Sequence, residues 1–343
     1  MAATSPRAIQ SRNRAGMAET MAEVLRVENL RVEFETNAGQ VKALNGVSFS
    51  QEEGQIYCVV GESGAGKSTL ALAIMGLLPN SATLVEGSVS FNGVDLMRAN
   101  TDYMRSIRGK EITMVFQDAQ TALNPVQTVG SQLEEVILNH TNLSARQANR
   151  MAQDVLRDLG LPDPRRILGE YPFNLSGGMC QRVMIGIALV LQPKLLIADE
   201  ATSGLDVTLQ AEILDRLKRL CRDLKSAVLL ITHDMGIVAH MANRVGVLYA
   251  GSLAETADVI PLFKEPRHPY TWSLIQSLPR LDDAGRRLQP LRGSPPDMIN
   301  LPEECAFLPR CHKALSQCRL NPSPPLEEVA ENHSVACFNP ITE

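Results

Sequence analysis

Nine consecutive residues, Gly61, Glu62, Ser63, Gly64, Ala65, Gly66, Lys67, Ser68 and Thr69, carry the strongest chemical signal in the chain. They fit the pattern G-x-x-x-x-G-K-[ST], whose glycines let consecutive backbone N–H groups turn inward around an anion. Lys67 is placed to reach the β- and γ-phosphates of a nucleotide, and the Ser68 hydroxyl to ligate Mg2+. Asp199 and Glu200 form a second candidate group. An aspartate ending a buried strand is suited to the Mg2+ shell, and the glutamate beside it to orienting an attacking water. A third polar end is His233-Asp234.

Each group needs an element to hold it. Gln55 to Val60 (QIYCVV) reads as a buried strand leading into the glycine-rich turn, and the Ala- and Leu-rich run that follows reads as a helix ending before Pro79. Leu195 to Ala198 (LLIA) ends in Asp199-Glu200, and Ala227 to Thr232 (AVLLIT) ends in His233. Three apolar strands that each end in polar residues predict an α/β fold with a parallel sheet and a site at the strand C-termini.

Composition bounds the rest. A chain of 343 residues, 44% hydrophobic and 21% charged, is long enough for roughly two domains and apolar enough for a sizeable core. The formal charge of -5 argues against a nucleic-acid partner, which usually meets a basic footprint. The longest apolar run, Val183 to Leu191, falls far short of the roughly 20 residues that span a bilayer. Residues 1–21 read as a flexible N-terminal tail, in which Met17 and Met21 are alternative starts. Composition shifts near residue 260: 13 of the 20 prolines follow it, and Cys305, Cys311, Cys318 and Cys337 stand close together, whereas Cys58, Cys180 and Cys221 are scattered. Three segments follow: the tail 1–21, a nucleotide-binding domain 22–260 with a helical subdomain at about 120–190, and an extension 261–343.

Leu175-Ser176-Gly177-Gly178-Met179-Cys180-Gln181-Arg182 resembles the signature motif of the ABC ATPase family, and the order of motifs along residues 24 to 255 resembles that family throughout. Gln117 resembles its Q-loop glutamine, Ser203-Gly204-Leu205-Asp206 its D-loop and His233 its switch histidine; Phe34 stands where an aromatic usually stacks on adenine. The resemblance implies a RecA-like lobe plus an α-helical signature subdomain that binds ATP and Mg2+. Glu200 would polarise the water, Gln117 and Asp199 serve the Mg2+ shell, and His233 contact the γ-phosphate. Ser176 and Gly178 of one molecule would touch the nucleotide held by a facing one, so the second half of the site comes from another chain. Ala119 and Ala201 stand where proline is usual, and Gly204 where alanine is commoner, each expected to loosen its loop.

Between Gln117 and the signature, Ser144-Ala145-Arg146-Gln147 predicts a capping box, with Met151, Val155 and Leu159 as an apolar stripe and Gly160 as the stop. In the family this subdomain receives the permease's coupling helix; a plain surface helix fits the pattern equally.

The tail narrows the resemblance. Arg267-His268-Pro269-Tyr270-Thr271-Trp272, Gly293-Ser294-Pro295-Pro296 and Phe307-Leu308-Pro309-Arg310-Cys311 resemble the C-terminal segments of dipeptide and oligopeptide importers, as do Leu123-Asn124-Pro125 and the methionine after the signature glycines. The cysteine spacing C-x5-C-x6-C-x18-C lacks the C-x2-C pairs of zinc ribbons and leaves a [4Fe–4S] cluster, a structural zinc, disulfides or free thiols open, with His312 and His333 as alternative ligands. The resemblance implies a [4Fe–4S] cluster on Cys305, Cys311, Cys318 and Cys337. It further implies an ATP-hydrolysing subunit on the cytoplasmic face of the inner membrane, powering uptake of short peptides or a related small solute. Its partners would be two transmembrane permeases, a second ATPase subunit (a paralogue by the habit of the subfamily) and an extracytoplasmic solute-binding protein. A soluble ABC ATPase of DNA repair or translation, or an exporter ATPase, is the alternative. The former carries coiled-coil insertions or two cores per chain, and the latter gives the tail no role.

Overall fold

Apolar runs such as IYCVV and AVLLIT have no polar face to offer water, so they are stable only with both faces covered. A computed structural model of the chain describes residues 22–202, 206–278, 291–299 and 301–342. The strands among them are β1 (Glu23–Thr36), β2 (Gly39–Glu52), β3 (Ile56–Val60), β4 (Ala82–Phe91), β5 (Val94–Asp95), β6 (Ile112–Val115), β7 (Leu195–Asp199), β8 (Ala227–Thr232), β9 (Arg244–Tyr249), β10 (Ser252–Asp258), β11 (Glu327–Ala330) and β12 (His333–Val335). The larger sheet has the order β11-β12-β10-β9-β3-β8-β7-β6. Its five strands from β9 to β6 are parallel, so their C-terminal ends line one edge.

Alternate residues of these strands face different layers. Tyr57, Val59, Ile197, Leu229 and Ile231 pack with the helix Lys67–Met75 against a second, antiparallel sheet of order β2-β1-β4-β5. Cys58, Val60, Leu196, Ala198 and Leu230 face the opposite layer, which holds the helices Val129–His140, Ala145–Asp158 and Gly177–Leu189. Each large side chain so buried contributes roughly 1.5–3 kcal/mol, which is why the strands read as unbroken apolar runs. The expected fold class, an α/β cassette with a helical subdomain, is what the chain adopts.

The predicted capping box is present: the Ser144 side chain accepts from the Gln147 backbone, and the Gln147 side chain accepts from the Ser144 backbone. The apolar face of that helix is wider than the expected stripe. Of the expected residues, Leu159 is buried and Met151 and Val155 pack, partly buried, against the core; Ala148, Ala152 and Leu156 are fully buried beside them. Alanine lets neighbouring helices approach closely, and the larger residues flank the contact.

The segments after residue 260 are built onto the same sheet. β12 pairs antiparallel with β10 through Glu255 opposite Val335 and Thr256 opposite Ser334. The fully buried Glu255 carboxylate accepts from His333 Nε2 at 2.6 Å, Arg267 N at 2.7 Å and His268 N at 2.8 Å. A buried carboxylate is tolerated only when so satisfied, and here its three donors tie the extension to the cassette. No helix among the described residues is long and apolar enough to cross a membrane. The N-terminal tail and Ser203, Gly204 and Leu205, and hence the loop expectation at Gly204, lie outside the described residues.

Candidate active site: a phosphate loop and three strand ends

The central strand β3 delivers the glycine-rich turn. All five of its residues are buried, and the chain then turns through Gly64 and Gly66, both with positive φ, into the helix Lys67–Met75. A side chain at Gly66 would strike the carbonyl oxygen of Ala43 at 2.3 Å, so only glycine closes this turn. Ser63, Gly64 and Ser68 stay exposed at the mouth, while Ala65 and Lys67 are buried and Thr69 is half-buried. Lys67 Nζ donates to the carbonyls of Gly61 and Glu62 at 2.8 and 2.9 Å. Burial lowers its pKa, opposed by the charges of Glu200, Asp199 and Glu62.

β7 and β8 place the acids and the histidine beside this loop. Asp199 is 4% exposed. Burial raises its pKa, and Glu200 adds to that rise, while a hydrogen bond from Ser68 and the charge of Lys67 oppose it. Its Oδ1 is buried with no hydrogen-bond partner. An orphaned carboxylate oxygen next to a serine hydroxyl is a donor set suited to a hard cation, so Ser68 and Asp199 fit Mg2+. Glu200 follows in a left-handed conformation, φ 46°, that residues other than glycine seldom adopt. Its carboxylate accepts from Gln117 Nε2 at 3.0 Å and meets His233 Nδ1 at 3.0 Å. Residues that follow β6 and β8 thus converge on a carboxylate that follows β7. Strain at a residue so fully held points to a functional position.

Ser176 caps the helix Gly177–Leu189, its hydroxyl accepting from Met179 N at 3.3 Å. Ser176 and Gly177 are exposed, and among the described residues no hydrogen bond joins Ser176, Gly177 or Gly178 to the phosphate loop. Asp206 caps the helix Val207–Leu224. Phe34 lies on β1, half-buried opposite Val41 and Ala82. Sequence reasoning passed over Gln181 as a site residue, yet its side-chain amide donates to the Ala201 carbonyl and so ties the signature helix to the turn after Glu200. Ala119 and Ala201 are both buried; Asp118 caps the short helix that Ala119 begins.

All seven described cysteines are free thiols. Cys305, Cys311, Cys318 and Cys337 line one cavity together with Phe307, Leu308 and Phe338. Among the described residues no three of His, Cys, Asp and Glu are grouped to hold a metal ion. The two histidines expected as alternative ligands are engaged elsewhere: His333 with Glu255, and His312 against the ring of Trp272 at 5.1 Å.

A glycine-rich turn opening a helix, a buried lysine, an adjacent Ser–Asp pair and a glutamate held by two side chains form the arrangement of a P-loop nucleoside triphosphatase. The chain matches the family described as ABC transporter over residues 44–203, and the family described as oligopeptide/dipeptide transporter, C-terminal region, over residues 254–318. It is 45% identical over 320 residues to the dipeptide transport ATP-binding protein DppD of Bacillus subtilis, covering 93% of this chain and 95% of that one. To the oligopeptide transport ATP-binding protein OppD of Escherichia coli it is 42% identical over 320 residues, covering 93% and 94%. A solved dimer of the ATP-binding cassette MJ0796 with ADP and Pi superimposes with a TM-score of 0.63 at 26% identity, covering 68% of this chain and 98% of that one. The chain belongs to the ABC transporter ATPase family, in its dipeptide/oligopeptide branch.

Proposed function

We propose that this chain is the ATP-hydrolysing subunit of an importer of short peptides, working on the cytoplasmic face of the inner membrane. The observation that carries the proposal is the alignment of Lys67, Asp199, Glu200, Gln117 and His233 along one sheet edge in a chain that also carries the oligopeptide-type C-terminal region. Bound MgATP supplies the scissile phosphate and its charge-neutralising metal. The chain's own residues do the positioning: Lys67 and the loop N–H groups hold phosphate oxygens, and Ser68 and Asp199 hold the metal shell. Glu200, fixed by Gln117 and His233, orients water and takes up its proton.

The exposed Ser176 and Gly177 at a helix N-terminus are suited to a phosphate presented by a facing molecule, which supports a second ATPase subunit; the branch favours a paralogue. MJ0796, described as dimeric, supports the same arrangement. Two permeases and an extracytoplasmic solute-binding protein complete the importer. For the permease contact the helical subdomain offers exposed Val126 and the stacked pair Tyr171–Phe173, Phe173 being 71% exposed, beside a cavity of about 620 Å3 lined by Thr128, Glu134, Glu135 and Arg165.

Convergence of four cysteines from separate segments on one cavity supports a [4Fe–4S] cluster there. Four cysteine thiolates are the ligand set that such a cluster takes. When bound, it would cross-link the loops of the extension. Protein purified without oxygen should be brown and absorb near 400 nm (roughly, the thiolate-to-iron region); a colourless sample with stoichiometric zinc would refute the cluster.

The function itself is tested in proteoliposomes holding both permeases, this chain and its paralogue, with the solute-binding protein outside and MgATP inside. Labelled di- and oligopeptides should accumulate, and peptide-loaded receptor should stimulate phosphate release. Stimulation by other solutes but by no peptide would reject the reading.

A further inference from the structure

Glu62, the second residue of the phosphate loop, is gripped from outside the cassette. Arg310 Nη1 donates to its Oε2 at 2.6 Å and Nη2 to its Oε1 at 2.9 Å. The Tyr270 hydroxyl accepts from the Glu62 backbone N–H at 3.0 Å. The Glu62 carbonyl, in turn, holds Lys67 Nζ. One residue therefore meets the extension through its side chain and its N–H, and the catalytic lysine through its C=O.

Arg310 has little freedom to be elsewhere. Its side chain is 4% exposed; Nε donates to the Arg292 carbonyl at 2.8 Å and Nη1 also to the Tyr249 hydroxyl at 3.2 Å. The guanidinium lies over the rings of Tyr249 and Phe307, 5.8 and 5.9 Å from their centroids. Phe307, Tyr249 and Tyr270 pack on one another with centroids 4.5 to 5.4 Å apart. A planar, bidentate cation locked by packing fixes its carboxylate partner in position and in rotation. Leaving either partner unpaired in this setting carries a desolvation penalty, so Glu62 and Arg310 are held together.

We propose that Arg310 is a positioning residue of the phosphate loop, acting through Glu62 with the Tyr270 hydroxyl as a second anchor. Nucleotide affinity then depends on a residue 248 positions away in the C-terminal extension. The proposal does not depend on what fills the cysteine cavity, although Phe307 and Leu308, just before Arg310, line it.

The test measures KM for MgATP and kcat in the assembled transporter with the full-length chain. Arg310→Gln and Glu62→Gln should each raise KM about ten-fold, the scale of one charged hydrogen-bonded contact, with kcat changed by less than about two-fold. The double variant should be no worse than either single, as for two halves of one contact. Arg310→Lys should recover part of the loss, because it restores the charge without the fork. Tyr270→Phe should raise KM by about three-fold through loss of one neutral hydrogen bond. Arg267→Gln breaks extension bonds to Glu265 and the Ile341 carbonyl without touching the loop, and should leave KM unchanged. The proposal is overturned if Arg310→Gln keeps the parental KM, if the single losses multiply in the double variant, or if Arg267→Gln raises KM equally. Should Arg310→Gln fail to fold, Glu62→Gln and Tyr270→Phe decide by the same KM criterion.

Discussion

Asp199→Asn should move stability and activity in opposite directions. The Asp199 carboxylate is buried, its Oδ1 has no partner, and burial pushes its pKa up. Without nucleotide the charge is therefore a burden on the fold. Burying a charge costs more than burying a neutral amide; Ser68 and Lys67 offset part of the difference, leaving about 1 kcal/mol to be relieved by Asn. For a chain of this size that corresponds to a rise in Tm of roughly 2 °C. With MgATP the sign reverses. A ligand at a hundred times its Kd stabilises the parent by about 2.7 kcal/mol, and a weakened metal shell removes most of the Mg2+-dependent part. Loss of a metal ligand worth several kcal/mol in the transition state lowers hydrolysis ~100-fold or more. Thermal melts with and without MgATP, run beside phosphate release in the assembled transporter, measure both effects. A variant less stable than the parent without nucleotide, or one still stabilised by MgATP as the parent is, would refute the assignment of the orphaned oxygen to Mg2+.

Two further perturbations test other parts of the account. His268 is buried, its Nδ1 accepts from Tyr270 N, and burial lowers its pKa from 6.5 to about 4 against the pull of Glu255. Its neutral form is the folded one, so the unfolded chain binds more protons between those values. Stability is intact above pH ~6.5 and falls by up to about 3 kcal/mol as the pH drops towards 4; His268→Asn, which keeps a capping oxygen, should flatten that slope in melts from pH 7 to 4.5. Gln181→Leu severs the signature helix from the Ala201 carbonyl and should lower kcat by about ten-fold, the scale of one buried hydrogen bond, while nucleotide binding to the isolated chain stays as in the parent. Equal kcat would show that the tie does not position Glu200.

Legibility in the sequence followed range. The phosphate loop, Asp199-Glu200 and His233 stand at the ends of short apolar runs, where strand, turn and acid are neighbours in sequence, and the sheet brings their ends together as that pattern requires. The Ser144–Gln147 capping box is equally local. On the following helix Met151, Val155 and Leu159 show the apolar face, but the fully buried Ala148 and Ala152 widen it without a signal, because alanine is equally at home on an exposed helix face. β11 and β12 left no trace: β11 is EEVA with every residue exposed, and such strands form only because β10 offers an edge. The Arg310–Glu62 and His333–Glu255 pairs join residues 248 and 78 positions apart, and no spacing rule reaches across such separations.

Glu200, held by Gln117 and His233, is the residue proposed to activate water at this site. Glu200→Gln in the assembled transporter tests it most directly, with nucleotide retention and phosphate release followed on the same sample. MgATP should be held at least as tightly as by the parent, with hydrolysis at this site reduced by ~100-fold or more. Hydrolysis at this site within two-fold of the parent, roughly no change on that scale, would contradict that role.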